Sequence, residues 1–362
     1  MKIAIIGHRG VPARYGGFET CAEQVGRRLA ARGHDVTAYG RARYYPERPR
    51  EFAGMRLRML PSMPGKHVET LSHTAVAAWG ARRHDAIICM GVGNAPIVRL
   101  LEAAHHRTVF NVDGADWQRA KWSAPAAGYL RACEGMAARG SSTLVADAQC
   151  VAAYYRAHFG RATEVIPYGA EPPADRGVDV LRRFGLEPGR YVMFAGRLVP
   201  ENSVHDYLDG ARVAALGIPT VVVGDATYAS AYIRELRARA QEGTVFTGYQ
   251  FGAAYQQLSA HAAIFVLGAR VGGTHPALLE QMAAGNCVLA VDTESNREVL
   301  GDAGLYWSHP DDLARALVRC WRDEALRAEL GAAARARQVA RYDWDAVTSR
   351  YEDLCQEIAA QK

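Results

Sequence analysis

The chain has no apolar run approaching the roughly 18 residues of a membrane-spanning helix, because charged side chains fall every few positions. It has no C-x-x-C pair: Cys21, Cys89, Cys133, Cys150, Cys287, Cys320 and Cys355 are scattered and odd in number. That argues against a disulfide framework or a structural zinc site and points to a reducing, cytoplasmic setting. Low-complexity segments and short repeats are missing, and 49% apolar with 22% charged residues excludes a disordered, collagen-like or coiled-coil chain. The apolar run at residues 3–6 is too short for a signal peptide and reads as a first strand. After Gly7 the next glycines fall at 10, 16 and 17, so the G-x-G-x-x-G dinucleotide fingerprint is missing and an NAD-linked oxidoreductase is the weakest reading. The basic residues lack interleaved aromatics and match no nucleic-acid motif, so no nucleic-acid partner is expected.

What charge there is lies unevenly. Residues 1–170 carry 23 Lys+Arg against 13 Asp+Glu, a formal +10, and residues 171–362 carry 20 against 25, a formal −5. Either the first half is the solvated surface of an arginine-rich chain, or it meets something anionic: a lipid phosphate, a leaflet surface or a pyrophosphate-linked acceptor.

A length of 362 residues suits two domains. Short apolar runs at 2–7, 35–39, 55–60, 85–90, 108–112, 142–146 and 164–166 alternate with amphipathic stretches such as 19–32 and 126–139. A second series begins at 191–195 and repeats at 220–224, 244–248, 263–267, 287–291 and 304–307, with helical patterns at 204–215, 229–240, 276–284 and 311–319. Such alternation predicts βαβ units and mostly parallel sheets. The turn formers of residues 167–173 separate the two series. The expected architecture is α/β: Rossmann-like domains at 1–170 and 171–342 facing a cleft, with a helix over 343–362 crossing their junction and packing back toward the first domain.

Three loops carry chemistry. Gly16-Gly17 opens a helix whose N–H groups would meet phosphate oxygens, although a plain tight turn leaves the same signature. Arg197 follows the 191–195 strand, where open α/β sheets bind ligands; its fork suits a diphosphate, the alternative being an interdomain salt bridge. In the segment 270–285, Gly272, Gly273, Thr274 and His275 precede Pro276, a good first helical residue, and Gly285 closes the helix. The N–H groups of Gly273, Thr274 and His275 would point at an anion or sugar, and Glu280 would cap backbone or accept ligand hydroxyls. Asp113, at a strand end beside Gly114, would orient or deprotonate an acceptor hydroxyl, or form an Asx turn. Trp117, Lys121 and Trp122 suit sugar stacking and phosphate contact, or packing under a lid. His8, His73, His105 and His106 lack ligand spacing and read as surface or packing residues.

In this order the markers form a pattern: residues 5–20, Asn111-Val112-Asp113-Gly114 with Trp117 and Lys121-Trp122, 166–170, Gly196 to Asn202, 271–280 and 296–306. They resemble the retaining, GT-B-fold glycosyltransferases of family 4, especially a rhamnosyltransferase-like bacterial subgroup, over nearly the whole chain. The resemblance implies a GT-B fold, a nucleotide-sugar-binding C-terminal domain and an acceptor-binding N-terminal domain. Glu280 then matches the second glutamate of the E-x7-E motif, which holds the nucleotide ribose, and Arg197 the residue that neutralises the donor diphosphate. Gly16 and Gly17 match the loop closing over the same phosphates. Donor contacts are expected at Gly16, Gly17, Arg197, Gly272, Gly273, Thr274, His275, Leu279 and Glu280. Catalytic roles are expected of Asp113, Arg197 and Glu280, and acceptor contacts of Arg14, Tyr15, Trp117 and Lys121. No metal and no cofactor is expected beyond a dTDP- or UDP-sugar co-substrate.

The chain departs from the family pattern at three places. Gly272 stands where the first glutamate would fall, Asn202 replaces the diphosphate-binding lysine, and 267–270 reads Leu-Gly-Ala-Arg where the subgroup often has histidines. The missing carboxylate fits a 6-deoxy sugar, hence a dTDP-rhamnose-like donor, and Arg270 would supply the missing positive charge. The expected function is transfer of rhamnose or another hexose to a saccharide, lipid-linked or natural-product acceptor in polysaccharide assembly. The expected place is the cytoplasm, with peripheral contact at an anionic inner membrane. The alternatives are a non-catalytic nucleotide-sugar-binding protein and a nucleotide-sugar epimerase.

Overall fold

A computed structural model describes residues 1–14, 16–65, 68–114, 116–119, 122–226 and 229–361, so the acceptor candidates Tyr15 and Lys121 lie outside the described residues. The chain forms two compact units, one of Met1–Tyr168 with Trp344–Lys362 and one of Gly169–Asp343.

The first unit runs β1 (Lys2–Ile6), α1 (Gly17–Ala31), β2 (Asp35–Arg41), β3 (Glu51–Phe52), β4 (Met55–Leu60), α2 (Glu69–Ala81), β5 (Ala86–Met90), α3 (Ala95–Ala103), β6 (Val109–Asn111), α4 (Ala124–Ala138), β7 (Thr143–Ala146), α5 (Gln149–Phe159) and β8 (Glu164–Val165). Its sheet has the order β3-β4-β2-β1-β5-β6-β7-β8. Every pairing is parallel except β3 with β4. Those two join through Ala53 and Gly54, both at positive φ, as a two-residue hairpin turn requires. The central strands β1 and β5 are apolar along almost their whole length because helices cover both faces. In α1, Cys21, Ala22, Val25 and Leu29 turn inward at helical spacing.

The last helix, α14 (Trp344–Ala360), belongs to this unit. It buries Val347, Tyr351, Leu354, Cys355 and Ile358. Arg28 pairs with Asp345 at 3.1 Å, and Glu352 binds both Arg32 and His34 at 2.6 Å. Arg28 and Arg32, two members of the basic first half, therefore hold the unit's own terminal helix. The Asn111 amide donates to the Tyr351 hydroxyl at 2.8 Å in the interior.

The second unit runs α6 (Asp179–Arg183), β9 (Val192–Ala195), α7 (Val204–Ala214), β10 (Thr220–Val223), α8 (Ser230–Arg239), β11 (Thr244–Gly248), α9 (Gly252–Ala260), β12 (Ile264–Leu267), α10 (Pro276–Ala284), β13 (Cys287–Val291), α11 (Glu294–Leu300), β14 (Leu305–Trp307), α12 (Pro310–Arg322) and α13 (Glu324–Arg341). Its sheet is parallel, in the order β11-β10-β9-β12-β13-β14. In each unit the strand order reverses once, between β1 and β5 and between β9 and β12. Open α/β sheets bind ligands outside the carboxyl ends of the strands at that reversal. No helix among the described residues is long and apolar enough to cross a membrane. The seven cysteines are free thiols.

Tyr351→Phe removes the acceptor of the Asn111 amide and leaves that buried donor unpaired, at a cost of about 1–3 kcal/mol. A urea titration of this variant is expected to show a lower midpoint.

Candidate functional site

In the second unit the ends of neighbouring strands close backbone to backbone. The Gly196 N–H donates to the Val223 carbonyl at 3.0 Å, and a Cβ on Gly224 would overlap the Gly196 carbonyl oxygen. Arg197 comes directly after this contact. It is partly buried, and its guanidinium makes no hydrogen bond or ion pair among the described residues. Its carbonyl accepts from the Val199 N–H at 2.9 Å and from the Asn202 side-chain amide at 2.8 Å. Asn202 thus braces the loop that presents Arg197. Both carboxylate oxygens of the adjacent Glu201 are enclosed without a partner among the described residues.

The loop after β12 lies against this one. A Cβ on Gly268 would overlap the Asn202 carbonyl, and the Arg270 N–H donates to the Glu201 carbonyl at 3.0 Å. The Arg270 guanidinium is engaged through Nε with the Ser203 hydroxyl at 2.7 Å and through Nη2 with the Asp206 carboxylate at 3.1 Å and the Ser308 carbonyl at 3.2 Å. It braces the loop to α7 and to the end of β14. Gly272 has φ 133°, a conformation that side chains strain to adopt. A glutamate at that position would meet this strain, so the missing carboxylate goes with the local backbone.

Gly273 and Thr274 are buried and lead to His275, the residue before α10. The nine-residue α10 has no side-chain cap and no acid in its first turn, so the positive end of its dipole is available to an anion. Leu279 is fully buried in the core and presents no side chain to a ligand. Glu280 lies one turn into the helix, facing the Tyr255 side chain of α9. Burial pushes its carboxyl up to about 7, the tyrosine opposing the rise. The Gln281 amide fixes the surroundings, donating to Tyr255 at 3.2 Å and to Ser259 at 2.8 Å.

The first unit repeats the backbone device: a Cβ on Gly7, at φ 92°, would overlap the Met90 carbonyl at the end of β5. The described residues of the loop beyond are pinned. Arg9 donates its N–H to Glu19 at 2.8 Å, and its carbonyl accepts from the Arg41 N–H at 2.6 Å. The Tyr45 hydroxyl donates to the Pro12 carbonyl at 2.6 Å, and the Ala13 N–H to Glu23 at 2.7 Å. Arg14 pairs with Glu47 at 2.5 Å and lies over the Tyr45 ring. Gly16 is extended and precedes α1, whose first residue is Gly17. Glu19 in the first turn is buried, which pushes its carboxyl up.

Beneath this loop is a polar cluster that sequence reading did not assemble. Arg41 pairs with Glu69 at 3.4 Å, and Tyr44 donates to the same carboxylate at 2.8 Å. His8 and His73 are enclosed beside Arg41. Burial, with the neighbouring charges, lowers their pKa values to about 3 and about 4, so both rings are neutral. Asp113 follows β6 in the left-handed conformation, φ 56°, its N–H held by the Asn111 side-chain oxygen at 3.0 Å. Trp117 packs against the core with Arg131 3.8 Å over its face, and the Trp122 indole donates to Asp116 at 3.0 Å. Among the described residues no group of His, Cys, Asp and Glu could hold a metal ion.

Two family descriptions match the chain: "Glycosyl transferase 4-like domain" over residues 16–169 and "Glycosyl transferases group 1" over residues 189–323. No curated protein matches it in sequence. Among solved structures it is similar to a sucrose-phosphate synthase from Thermosynechococcus elongatus, at 19% identity and TM-score 0.85, covering 100% of both chains. It is also similar to Anabaena HepE in complex with UDP-glucose, at 18% identity and TM-score 0.78, covering 99% of this chain and 100% of that one. A third is WaaG, a glycosyltransferase involved in lipopolysaccharide biosynthesis, at 14% identity and TM-score 0.70, covering 98% and 99%. These likenesses establish the GT-B fold.

Because the Glu280 carboxyl is raised, the folded chain holds a proton there that the unfolded chain has already released, and stability falls as pH climbs from about 4.5 to about 7. Glu280→Gln removes this penalty. Its melting temperature is expected to match wild type near pH 4.5 and to exceed it by several degrees at pH 8, read by differential scanning fluorimetry.

Proposed function

The chain belongs to the glycosyltransferases of GT-B type, and from this we propose that it moves rhamnose or another hexose from a dTDP- or UDP-sugar to a saccharide, lipid-linked or natural-product acceptor. The transfer retains the anomeric configuration, needs no metal and serves polysaccharide assembly at the cytoplasmic face of the inner membrane. The observation that carries the donor assignment is Arg197: an unengaged guanidinium at the carboxyl end of β9, beside the strand reversal and the uncapped start of α10.

In this reading Arg197 and the N–H groups of Gly273, Thr274 and His275 bind the diphosphate, and Glu280 accepts the ribose hydroxyls. Gly16 and Gly17, at the start of α1, offer a further anion contact on the first unit. The bond between the anomeric carbon and the diphosphate oxygen breaks as the acceptor oxygen bonds that carbon on the same face. The acceptor proton passes to the departing diphosphate. Negative charge grows on that leaving group, so a fixed guanidinium and a helix dipole favour the transition state over the bound donor. Asp113 orients the acceptor hydroxyl, and Arg14 and Trp117 flank the acceptor. Glu201 takes the sugar hydroxyls that a glutamate at 272 would have taken, since its enclosed oxygens have no other donor among the described residues. The UDP-glucose bound by the similar HepE makes a uridine nucleotide the first donor to try.

A nucleoside diphosphate at a hundred times its Kd adds about 2.7 kcal/mol to stability. A thermal shift is expected with dTDP or UDP and none with NAD, and Arg197→Ala is expected to abolish it. No shift with any nucleoside diphosphate would overturn the transferase reading. Glu201→Gln is expected to raise KM for the sugar nucleotide about ten-fold, roughly 1.4 kcal/mol, while binding of the bare diphosphate stays at the wild-type level.

A further inference from the structure

Folded interiors pair almost all of their enclosed polar atoms, so several orphans in one place mark a site that packing alone does not explain. The first unit has such a place at the carboxyl ends of β1 and β2, next to its strand reversal. His8 follows β1, and His73 lies one turn into α2; they are 1% and 0% exposed. Neither ring has a hydrogen-bond partner at either nitrogen among the described residues. The main chain of Ile5, Gly10 and Gly40 lies near the rings but outside hydrogen-bond geometry. Arg41, the last residue of β2 and 5% exposed, acts on both rings and keeps its Nε unpartnered among the same residues.

What these groups donate and accept narrows the occupant. The far end of Arg41 is spent: Nη1 pairs with Glu69 at 3.4 Å, and Nη2 donates to the Thr70 hydroxyl at 3.1 Å. Glu69 also accepts from Tyr44 at 2.8 Å and from Ser62 at 3.4 Å. Both imidazoles are neutral, since burial, then the neighbouring charges, disfavours their protonation. A neutral imidazole brings one N–H donor and one bare acceptor. With the Arg41 Nε–H, the orphans are therefore three donors and two acceptors. A hydroxyl both donates and accepts, so the neighbouring hydroxyls of a sugar answer this set. A carboxylate or phosphate offers acceptors alone and would face two imidazole lone pairs. The cluster also has an outer edge: Arg9, Tyr44, Ser62 and Thr70 are partly exposed, and the Arg9 guanidinium lies 4.8 Å over the Tyr44 ring.

We propose that this cluster is the subsite for a neutral sugar of the acceptor, with ring hydroxyls on His8, His73 and the Arg41 Nε, so that the chain selects uncharged saccharides over uronic acids and sugar phosphates. The place suits the role, because open α/β sheets take ligands at the carboxyl ends of their strands beside the reversal. The enclosed rings are reached from the edge of Tyr44 and Ser62, where Ser62 holds Glu69 by a long bond of 3.4 Å and residues 63–65 are exposed. Closing without a sugar leaves the five nitrogens unpaired, and closing on one pairs them, so the occupant favours the closed arrangement. Water bridging the rings is the competing occupant.

The proposal rests on the transferase reading for the existence of an acceptor, so saccharide and nucleotide binding are measured apart. The full chain carries nitrogen-15 in its histidine rings, and His8→Leu and His73→Leu assign the two pairs of nuclear magnetic resonance signals. Methyl glucoside and methyl rhamnoside are the neutral probes; glucuronate and inorganic phosphate are the anionic ones. The neutral probes are expected to shift the signals of both rings, and the anionic probes to leave them in place. Leucine is close to histidine in volume and removes donor and acceptor together. Each leucine variant is therefore expected to melt at or above the wild-type temperature, while neutral-probe affinity, read on the remaining ring, falls at least about ten-fold. Glutamine keeps a donor and an acceptor, so His73→Gln is expected to stay within about three-fold of wild type in that affinity. Wild-type rings that no neutral probe moves would sink the proposal, since water then satisfies them. So would rings moved by phosphate or glucuronate instead, or leucine variants that bind the neutral probes as tightly as wild type. A nucleoside-diphosphate thermal shift beside silent rings would remove this subsite and leave the transferase reading. Ring shifts without any nucleotide shift would do the reverse.

Discussion

Main chain meets main chain at the carboxyl ends of neighbouring strands with no space for a side chain between, and the candidate sites depend on that contact. Gly7 against Met90, Gly224 against Gly196 and Gly268 against Asn202 are three instances, each of which a Cβ would block. Backbone contacts of this kind are stiff and leave few alternatives for the loops that follow them. They also free the side chains beyond from any packing duty. Arg197 comes after such a contact, with Asn202 and Val199 holding its carbonyl and no partner for its guanidinium among the described residues. The same device appears in both units, in sheets whose strand orders reverse in the same way.

Two arginines in neighbouring loops show how little residue type says about role. Arg270 has three oxygen partners and braces the start of α7 to the end of β14; Arg197 has none among the described residues. The difference comes from Asp206 and Ser203, which α7 places beside the 268–275 loop. The family comparison in sequence offered Arg270 as a substitute charge because it weighed positions along the chain. Ser203 and Asp206 lie more than sixty residues away in sequence.

Where burial is periodic, the sequence was transparent. The strands of the second unit fall within a residue of the apolar runs, and α10 spans the nine residues that Pro276 and Gly285 delimit. α2 escaped notice for a physical reason: Val76 and Trp79 lie on its outward side, and its inward side mixes Glu69, His73 and Thr74 with Ala77, Ala78 and Ala81, so no amphipathic stripe marks it. Gly272 could be read as a lost glutamate but not as a positive-φ position, since φ is a property of the fold. His8 and His73 were legible as packing residues, while the Arg41–Glu69 pair that they abut required β2 and α2 to be brought together. Charge asymmetry was visible from composition, yet part of it is spent internally on α14.

Asp113 shows how a strained site residue is supported from far along the chain. Its left-handed backbone is unfavourable for most residues and tolerable for aspartate. The Asn111 oxygen holds the Asp113 N–H, which fixes one end of the Asn111 amide. The other end donates to the Tyr351 hydroxyl, 240 residues later in sequence, on a helix anchored by Val347, Leu354 and Ile358. An asparagine with both ends engaged cannot rotate without breaking both bonds. The conformation of Asp113 is therefore set by the docking of α14, and the carboxylate assigned to the acceptor is only as well placed as that terminal helix is packed.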